Sequence, residues 1–263
     1  MKKIYLLLGL LLFNHPLWAH IPSIIVTDLH QTVFQEGPVS KQHPPCSTFK
    51  IALSLMGFDA HILTNETTPK WEFQPGYPDF IDAWKLPQTP TTWMKNSCVW
   101  YSQSITTQLG HKKFTTYLNK FDYGNQNTSG DPGKHNGLTQ CWLSSSLKIS
   151  PQEQALFLKK LIQNRLPVSP HAHEMTRRLL YLETLPTGWA LYGKTGSGSQ
   201  LNPDGTKNPD KQLGWFIGWL QKDTRTLIVA YYLEDTDKQP TWAGKRAKEA
   251  AKARLLTYTT TLP

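Results

Sequence analysis

Residues 47–58 read STFKIALSLMGF, and this stretch decides how the rest of the chain must be arranged. It predicts a helix over residues 47–62 that is apolar on nearly every side, and a helix of that kind is buried all round. Lys50 is the only charged residue in it before Asp59, and it lies one helical turn after Ser47. The sequence therefore predicts a buried helix with a lysine inside its first turn.

The order of the other predicted elements indicates the fold class. β-Branched residues predict a strand over residues 23–34, five prolines predict a loop over 64–92, and small polar residues predict irregular loops over 122–146. Helices are expected over 92–109, 111–121, 151–163 and 242–257, and β-rich runs over 188–196, 213–221 and 226–233. This order predicts an α+β fold, an antiparallel sheet flanked by helices with an inserted all-helical region.

The composition excludes several classes of protein. The chain has 263 residues, of which 39% are hydrophobic and 18% charged, so it can form a core and is not disordered. Its three cysteines are too few for a disulfide-dense scaffold. The net charge of +9 is densest over residues 245–254, which we interpret as a solvated helix face. No nucleic-acid partner is expected, because no aromatic residues alternate with these charges.

The first residues predict export. Lys2 and Lys3 precede an apolar run over residues 4–13, and Ala19 is a small residue at a suitable cleavage point. We therefore expect a signal peptide over residues 1–19 and a periplasmic mature protein without a stable membrane anchor; a retained N-terminal anchor is the alternative. Cleavage removes two lysines and no acidic residue, which lowers the net charge from +9 to +7.

The mature chain is expected to be one domain. Residues 20–263 are long enough for a single large core. We expect a mixed α/β part over 20–60 and 175–263, and a helical part over 61–174 that is inserted between them. The oligomeric state is expected to be monomer or homodimer.

Two Ser-x-x-Lys pairs occur in the chain, and their surroundings differ. Lys148, three residues after Ser145, lies beside a polar loop, whereas Lys50 lies in the most apolar helix. Burial lowers the pKa of a lysine and leaves a neutral amine that can act as base or nucleophile; the alternative is that the Lys50 side chain extends to solvent. Ser47 stands at a helix start, where free N–H groups favour developing negative charge, so it is the candidate nucleophile of an acyl transfer.

A second motif, Lys194-Thr195-Gly196, follows a β-rich run. On an edge strand, its lysine and hydroxyl can bind a carboxylate, and its glycine lets a substrate lie against the backbone. The alternative is a hairpin turn with a solvated lysine. The sequence thus offers a candidate anion site to accompany the candidate nucleophile.

The order of the motifs resembles that of a known family. Ser-x-x-Lys followed by Lys-Thr-Gly is the signature of penicillin-interacting serine enzymes. The Ser-Asp-Asn element of that set is absent, and the chain carries instead Ser97-Cys98-Val99, Tyr123-Gly124-Asn125, Trp142-Leu143, Leu147-Lys148-Ile149-Ser150 and Trp215-x-x-Gly218. In this order and at these gaps, over most of the mature chain, the motifs resemble those of the class D (OXA-type, oxacillinase) serine β-lactamases.

This resemblance implies a mechanism. The family's equivalent of Ser47 is acylated by the β-lactam carbonyl, and the equivalent of Lys50 reacts with carbon dioxide to give N6-carboxylysine, the general base of acylation and deacylation. Trp142 would donate its indole N–H to that carbamate, whose charge is costly to bury without a hydrogen bond. Ser97 would carry a proton toward the leaving nitrogen. The implied activity is hydrolysis of β-lactam antibiotics, penicillins and oxacillin-type compounds among them.

Further residues complete the pocket that the resemblance implies. Val99 and Leu143 match apolar residues that cover the carbamate. The backbone N–H groups of Ser47 and Ser197 would hold the oxyanion of the tetrahedral intermediate. No metal or cofactor is implied beyond the carbon dioxide, or bicarbonate, that carbamylates Lys50.

The substrate carboxylate would be held by residues of the Lys-Thr-Gly strand, namely Lys194, Thr195, Gly196 and Ser197. Many relatives also place an arginine for this carboxylate at the start of the last helix, where this chain has Thr241-Trp242-Ala243-Gly244. Arg246 is the nearest candidate, although it falls about one helical turn away.

Cysteine and histidine residues near the motifs have simpler interpretations. Cys46, Cys98 and Cys141 each adjoin a motif, but their spacing does not match a tetrahedral metal site. We expect them to be small buried apolar residues. His171 and His173 are expected in a polar loop.

Two other functions share the motif set. The penicillin-sensing domain of a membrane receptor is acylated and stays acylated, and transmembrane helices usually accompany it. A D,D-transpeptidase or carboxypeptidase normally has Ser-x-Asn where this chain has Ser97-Cys98-Val99, and it lacks the Trp142 loop. Repeated turnover of nitrocefin, rather than a single stoichiometric burst, would distinguish a β-lactamase from both.

Overall fold

The computed structural model describes residues 22–259, whose strands form one six-stranded antiparallel sheet. The strands are β1 (Ser23–Thr27), β2 (Thr32–Glu36), β3 (Tyr181–Thr184), β4 (Ala190–Leu201), β5 (Lys207–Lys222) and β6 (Arg225–Glu234). Their order in the sheet is β2-β1-β6-β5-β4-β3. The N-terminal hairpin therefore pairs with the last strand, and β4, β5 and β6 form a meander.

A helical region is inserted between β2 and β3. Its helices are α1 (Lys50–Asp59), α2 (Pro90–Asn96), α3 (Val99–Phe121), α4 (Gly137–Gln140), α5 (Pro151–Ile162) and α6 (Pro170–Leu180), and α7 (Ala243–Thr259) follows β6. Short 3-10 turns occupy Cys46–Phe49 and Asp82–Lys85. The predicted α+β class, an antiparallel sheet flanked by helices with an inserted helical region, is confirmed.

Helices cover both faces of the sheet. Ile25 of β1 belongs to the large core that contains α1, whereas its neighbours Ile24 and Val26 belong to a second core against α7. This is the alternation of side chains that a strand covered on both faces requires. Every residue of α1 from Lys50 to Phe58 is buried, as the apolar stretch at residues 47–58 predicts.

The first predicted strand, over residues 23–34, is wrong, because the structure has a hairpin there. β1 ends at Thr27 and β2 begins at Thr32. The turn is made by Asp28, whose carboxylate accepts the backbone N–H groups of His30 and Gln31 at 2.6 and 2.7 Å. An aspartate that binds the backbone two residues on is a turn former, and this local signal outweighs the β-branched residues on either side.

The predicted helix over residues 92–109 is broken in its first half. α2 ends at Asn96, and Ser97 has the left-handed conformation with φ 55° and ψ 31°. Cys98 has φ −56° and ψ 124°, outside the helical region, and α3 begins at Val99. The break has a consequence for function, because it turns the Ser97 side chain out of a helix surface.

The expectation of a polar loop at His171 and His173 is wrong. Both residues lie in α6, and Ser169 caps this helix by accepting the Ala172 N–H. The His173 ring is buried, and its two nitrogens contact the carbonyls of Leu161 and Leu166 at 3.1 and 3.0 Å. The sequence carried a signal for this helix: Ser169-Pro170 repeats the cap and first-turn proline of Ser150-Pro151.

The predicted signal peptide, residues 1–19, lies outside the described residues. Between residues 22 and 259, no helix is both long and apolar enough to cross a membrane.

Candidate active site

Ser47 lies in the 3-10 turn Cys46–Phe49, which leads directly into α1. The turn is closed by Thr48, whose N–H and Oγ1 both donate to the Pro45 carbonyl, at 3.1 and 2.7 Å. Gln154 of α5 donates to Thr48 Oγ1 at 3.1 Å. The candidate nucleophile is therefore held on a turn that is hydrogen-bonded to itself and to a neighbouring helix.

Sequence reasoning missed Gln154. It is fully buried on the same helix as Ala155 and Leu158, which belong to the large core. A polar residue that interrupts the apolar face of a helix is a signal that this face meets a polar group. The partner, Thr48, is 106 positions away in the chain, so the contact itself could not be predicted.

Lys50 has its amine beside the candidate nucleophile. The side chain is fully buried, and Nζ donates to Ser47 Oγ at 3.3 Å. Burial lowers the pKa of Lys50 to about 8. A larger fraction of this amine is therefore neutral near pH 7 than of an ordinary lysine. Lys148, the lysine of the second Ser-x-x-Lys pair, is exposed.

Ser97 and Lys194 form a second hydrogen-bonded pair. Lys194 of β4 donates from Nζ to Ser97 Oγ and also to the Thr195 carbonyl, the latter at 3.1 Å. Burial, followed by the positive charge of Lys50, holds the pKa of Lys194 well below its ordinary value. Because these two lysines act on each other electrostatically, the Ser47–Lys50 and Ser97–Lys194 pairs belong to one site.

β4 lies directly against the turn that holds Ser47. A Cβ on Gly196 would come within 2.9 Å of the Pro45 carbonyl oxygen and 3.2 Å of Thr48 Cγ2, so this close approach requires glycine. Trp215 of β5, paired with Gly196 across the sheet, donates its indole N–H to the Pro44 carbonyl at 2.9 Å. The Lys-Thr-Gly and Trp-x-x-Gly motifs thus both position the nucleophile's turn.

Trp142 is fully buried behind this turn. Its ring packs on Phe49 and Phe114, with centroid separations of 5.4 and 6.4 Å, and its carbonyl accepts the Cys46 N–H at 3.0 Å. Its indole Nε1 is a buried donor with no hydrogen-bond partner among the residues the structure describes. Such a donor is costly to bury and marks a place where an acceptor fits.

Hydrogen bonds to the Tyr-Gly-Asn motif hold the segment that follows Trp142 in place. Asn125 donates its backbone N–H to the Lys148 carbonyl and accepts the Lys148 N–H on its side chain, both at 2.9 Å. It also donates its side-chain amide to the Ser146 carbonyl at 2.9 Å. Gly124 has φ 54°, and a Cβ there would overlap the Lys148 carbonyl oxygen. Only glycine allows the two segments to approach this closely.

A cleft of about 1450 Å³ opens over these groups. The predicted site residues that line it are Ser47, Ser97, Val99, Leu143, Lys194, Thr195 and Ser197. Ser197 also accepts the backbone N–H of Gly244 on its Oγ at 2.9 Å, which joins the start of α7 to β4. The structure therefore brings the predicted nucleophile, proton-transfer and substrate-binding residues to one cleft.

The structure contradicts the placement of Arg246 at the substrate carboxylate. Its guanidinium makes two hydrogen bonds to the Asp235 carboxylate, at 2.8 and 2.6 Å, and Arg246 does not line the cleft. The physical reason is charge pairing, because the Asp235 carboxylate is almost fully buried and needs the Arg246 cation.

The three cysteines are buried and not bonded to one another. Burial raises the pKa of Cys46 and Cys98 to about 11 and that of Cys141 to about 12. Thiols with such pKa values remain protonated and unreactive at neutral pH. Across residues 22–259, no group of three or more His, Cys, Asp or Glu side chains could hold a metal ion.

Comparisons with known proteins agree on one family. The penicillin binding protein transpeptidase domain matches residues 22–256. Beta-lactamase OXA-9 of Klebsiella pneumoniae is 42% identical over 219 residues, which cover 83% of this chain and 80% of that protein. Beta-lactamase OXA-1 of Escherichia coli is 48% identical over 187 residues, 71% of this chain and 64% of that protein. The crystal structure of the OXA-427 class D β-lactamase matches with a TM-score of 0.87 and 42% identity, over 92% of this chain and 100% of that chain.

The fold and the cleft first define an enzyme with the penicillin binding protein transpeptidase fold. The identity with the OXA-9 and OXA-1 enzymes and the structural match to OXA-427 narrow the assignment. The chain belongs to the class D β-lactamases, serine hydrolases that act on the cyclic amide of β-lactams. The resemblance that the motifs indicate is thereby confirmed.

Proposed function

We propose that this class D β-lactamase hydrolyses penicillins, oxacillin-type compounds among them, through an acyl-enzyme on Ser47, with carbamylated Lys50 as general base in both steps. One observation carries the proposal: the Lys50 amine is buried 3.3 Å from Ser47 Oγ, and burial lowers its pKa to about 8. Only a neutral amine combines with carbon dioxide, and this lowered pKa supplies one near neutral pH.

In acylation, Ser47 Oγ forms a bond to the lactam carbonyl carbon, and the ring C–N bond then breaks. The Ser47 proton passes to Lys50 and then through Ser97, which is hydrogen-bonded to Lys194, to the leaving nitrogen, so Lys50 can again accept a proton. In deacylation, a water molecule gives a proton to Lys50 while its oxygen bonds to the ester carbon. Ser47 Oγ then leaves and recovers its proton, so each step balances.

The developing oxyanion would be bound by two backbone N–H groups, those of Ser47 and Ser197. The close contact of Gly196 with the nucleophile's turn supports this arrangement, because it brings the two segments side by side. Donors that are already in place need no rearrangement when the charge forms, and one such donor is worth about 3 kcal/mol in transition-state stabilisation.

Trp142 supports the carbamate. A buried carbamate must be hydrogen-bonded to be stable, and Trp142 Nε1 is a buried donor that lacks a partner in residues 22–259. The Trp142 ring packs on Phe49, the residue next to Lys50 in the chain. When present, the carbamate supplies an oxygen that accepts and returns protons. Val99 and Leu143 would keep water from it on the cleft side.

The substrate carboxylate would lie on β4. Lys194 supplies the cation, Thr195 and Ser197 supply hydroxyl groups, and Gly196 supplies the open backbone. None of the hydrogen-bond partners of Lys194 within residues 22–259 is a carboxylate. An arriving substrate carboxylate would stabilise the charged form of Lys194, whose pKa is lowered by burial and by Lys50.

We further propose that residues 1–19 direct the chain to the periplasm and are removed there. This rests on Lys2, Lys3 and the apolar run over residues 4–13. The mature enzyme would be a monomer or homodimer, with a small-molecule β-lactam as its partner.

Turnover of nitrocefin by the mature enzyme tests the function. We expect repeated turnover in the wild-type enzyme and none in Lys50→Ala, in which any acyl-enzyme formed would be long-lived, because the same residue serves both steps. Lys148→Ala is the matched control, since it removes an exposed lysine from the other Ser-x-x-Lys pair and should retain turnover. Intact-protein mass measurement would follow the acyl-enzyme.

Two results would contradict the proposal. A single stoichiometric burst from the wild-type enzyme would identify a penicillin sensor or a transpeptidase. Undiminished deacylation in Lys50→Ala would show that another group activates the water.

A further inference from the structure

An exposed lysine lines the same cleft as Ser47 without a role in the proposed mechanism. Lys207 is the first residue of β5 and pairs with Leu201 at the end of β4. It is exposed and lines the cleft. In the part of the chain that the structure describes, no carboxylate forms an ion pair with it within 4 Å. Its charge is therefore available to a ligand.

The charge of Lys207 affects the pKa of a residue in the turn that holds Ser47. Burial raises the pKa of Cys46, and the charge of Lys207 is among the effects that oppose this rise. The Asn136 amide holds the pKa of Asp131 below its ordinary value, with a smaller contribution from Lys207. Cys46 adjoins Ser47, and both Ser47 and Lys207 line the cleft, so the charge of Lys207 can act on a substrate bound there.

The residues of β4 that line the cleft follow one another along the strand, from the candidate carboxylate site toward Lys207. Lys194 and Thr195 lie at one end of the segment that faces the cleft, Ser197 lies in the middle, and Gly198 and Ser199 lie at the other end. Gly198 is packed so closely that a Cβ on it would come within 2.5 Å of Cys46 Sγ. The strand then continues to Leu201, opposite Lys207.

The groups of a penicillin also follow one another in a fixed order, which can be compared with the order of residues along β4. Its lactam carbonyl carbon is bonded to the ring nitrogen on one side and to the carbon bearing the acylamino side chain on the other. The carboxylate belongs to the nitrogen side. If the carboxylate lies at Lys194 and Thr195 and the carbonyl oxygen at Ser197, the acylamino side chain must extend past Ser199 toward Lys207.

We propose that Lys207 is a specificity residue that binds an acidic group on the acylamino side chain, so that the enzyme favours penicillins with a side-chain carboxylate over neutral ones. This rests on the proposed function, because it uses the orientation of the substrate along β4. The contact is an exposed charge pair, which has a modest and salt-sensitive effect.

Two penicillins that differ by one group make the test. Carbenicillin carries a carboxylate on the side chain of benzylpenicillin and is otherwise the same molecule. We expect Lys207→Gln to lower the ratio of kcat/KM for carbenicillin to that for benzylpenicillin by about two- to fivefold at low salt. Lys207→Glu should lower the ratio further. Raising the salt to about 1 M should bring the wild-type ratio toward that of Lys207→Gln.

Lys211→Gln is the matched control, because Lys211 is an exposed lysine of the same strand that does not line the cleft. It should leave the ratio unchanged. Equal ratios in the wild-type enzyme and Lys207→Gln would overturn the role of Lys207, and so would an equal fall in Lys211→Gln, which would indicate a general field effect. Failure of the wild-type enzyme to turn over benzylpenicillin would instead refute the proposed function.

Discussion

Trp142 carries its indole N–H into the core without a hydrogen-bond partner among residues 22–259. An unsatisfied buried donor costs about 1–3 kcal/mol. Trp219 shares this property: it is fully buried, its Nε1 is also unpartnered there, and its ring stacks on Tyr192. The two tryptophans differ in position, because only Trp142 packs against the residue beside Lys50.

Trp142→Phe tests whether that donor holds a carbamate. Phenylalanine keeps the packing on Phe49 and Phe114 but removes the N–H. A hydrogen bond to a charged group contributes about 1.5–3 kcal/mol, so the bicarbonate concentration for half-maximal activity should rise about 10- to 150-fold. The measurement is nitrocefin turnover in degassed buffer with increasing bicarbonate.

Trp219→Phe is the control and should show the wild-type dependence on bicarbonate. If the activity of Trp142→Phe did not depend on bicarbonate, whether that activity were high or low, the proposed hydrogen bond from Trp142 to the carbamate would be contradicted. The same shift in both variants would point to a general loss of packing.

Short irregular segments between the helices and strands place the polar groups of the site. The break between α2 and α3 puts Ser97 in a left-handed turn, where it meets Lys194 of β4. The hydrogen bonds from Asn125 to Ser146 and Lys148 hold the segment that follows Trp142. Loops can position functional groups in this way when their own backbone is fully hydrogen-bonded.

Gly124→Ala should damage the stability and the activity together. The new Cβ would overlap the Lys148 carbonyl oxygen in a backbone with φ 54°, so both strain and overlap oppose it. We expect the free energy of unfolding to fall by about 2–3 kcal/mol. The catalytic rate should fall as well, because the displaced segment follows Trp142. Urea unfolding and nitrocefin turnover measure the two effects.

Gly133→Ala separates strain from overlap. Gly133 also has a left-handed backbone, with φ 72°, but a Cβ there meets nothing within 4 Å. It should cost about 1 kcal/mol and leave turnover intact. Equal effects of the two substitutions would mean that the contact with Lys148 is unimportant.

The molecule as a whole has two cores, one on each face of the sheet, and α7 covers the smaller one. Arg246 ties this helix to the end of β6 through two hydrogen bonds to Asp235. The Asp235 side chain is only 4% exposed, and that of Arg246 is 29% exposed. A carboxylate so deeply buried needs its cation, because an uncompensated buried charge is strongly destabilising.

Arg246→Gln should therefore affect folding and leave substrate binding alone. We expect a loss of about 1–3 kcal/mol in the free energy of unfolding, less than for a fully buried pair because Arg246 is partly solvated. KM for benzylpenicillin should stay within about twofold of the wild-type value, since Arg246 does not line the cleft. Chemical unfolding and steady-state kinetics on the same preparation measure both.

Arg254→Gln removes an exposed ion pair, with Glu36, from the same helix and should cost less than about 1 kcal/mol. A large rise in KM for Arg246→Gln at unchanged stability would restore Arg246 as a substrate ligand.

The family and the candidate nucleophile followed from linear features of the chain. The sequence of residues 47–58 favours burial of Lys50, because a helix that is apolar on nearly every side offers little solvated surface, and the structure confirms this burial. The Lys-Thr-Gly, Tyr-Gly-Asn and Trp-x-x-Gly motifs could also be recognised from their order and spacing in the sequence. Each motif needs a particular residue type at a particular backbone position. These features can be identified without knowing which distant segments of the chain are in contact.

The positions of the other side chains could not be predicted, because they depend on contacts formed in the tertiary structure. The contact of Ser97 with Lys194 and the position of Lys207 at the cleft depend on segments far apart in the chain. The pairing of Arg246 with Asp235 depends on how α7 packs against the end of β6. A helical pattern over residues 92–109 carries no sign of the break, because the energy that maintains it comes from packing and hydrogen bonds formed only in the folded state. Local propensity is weaker than those contacts, so only the tertiary structure could place these side chains.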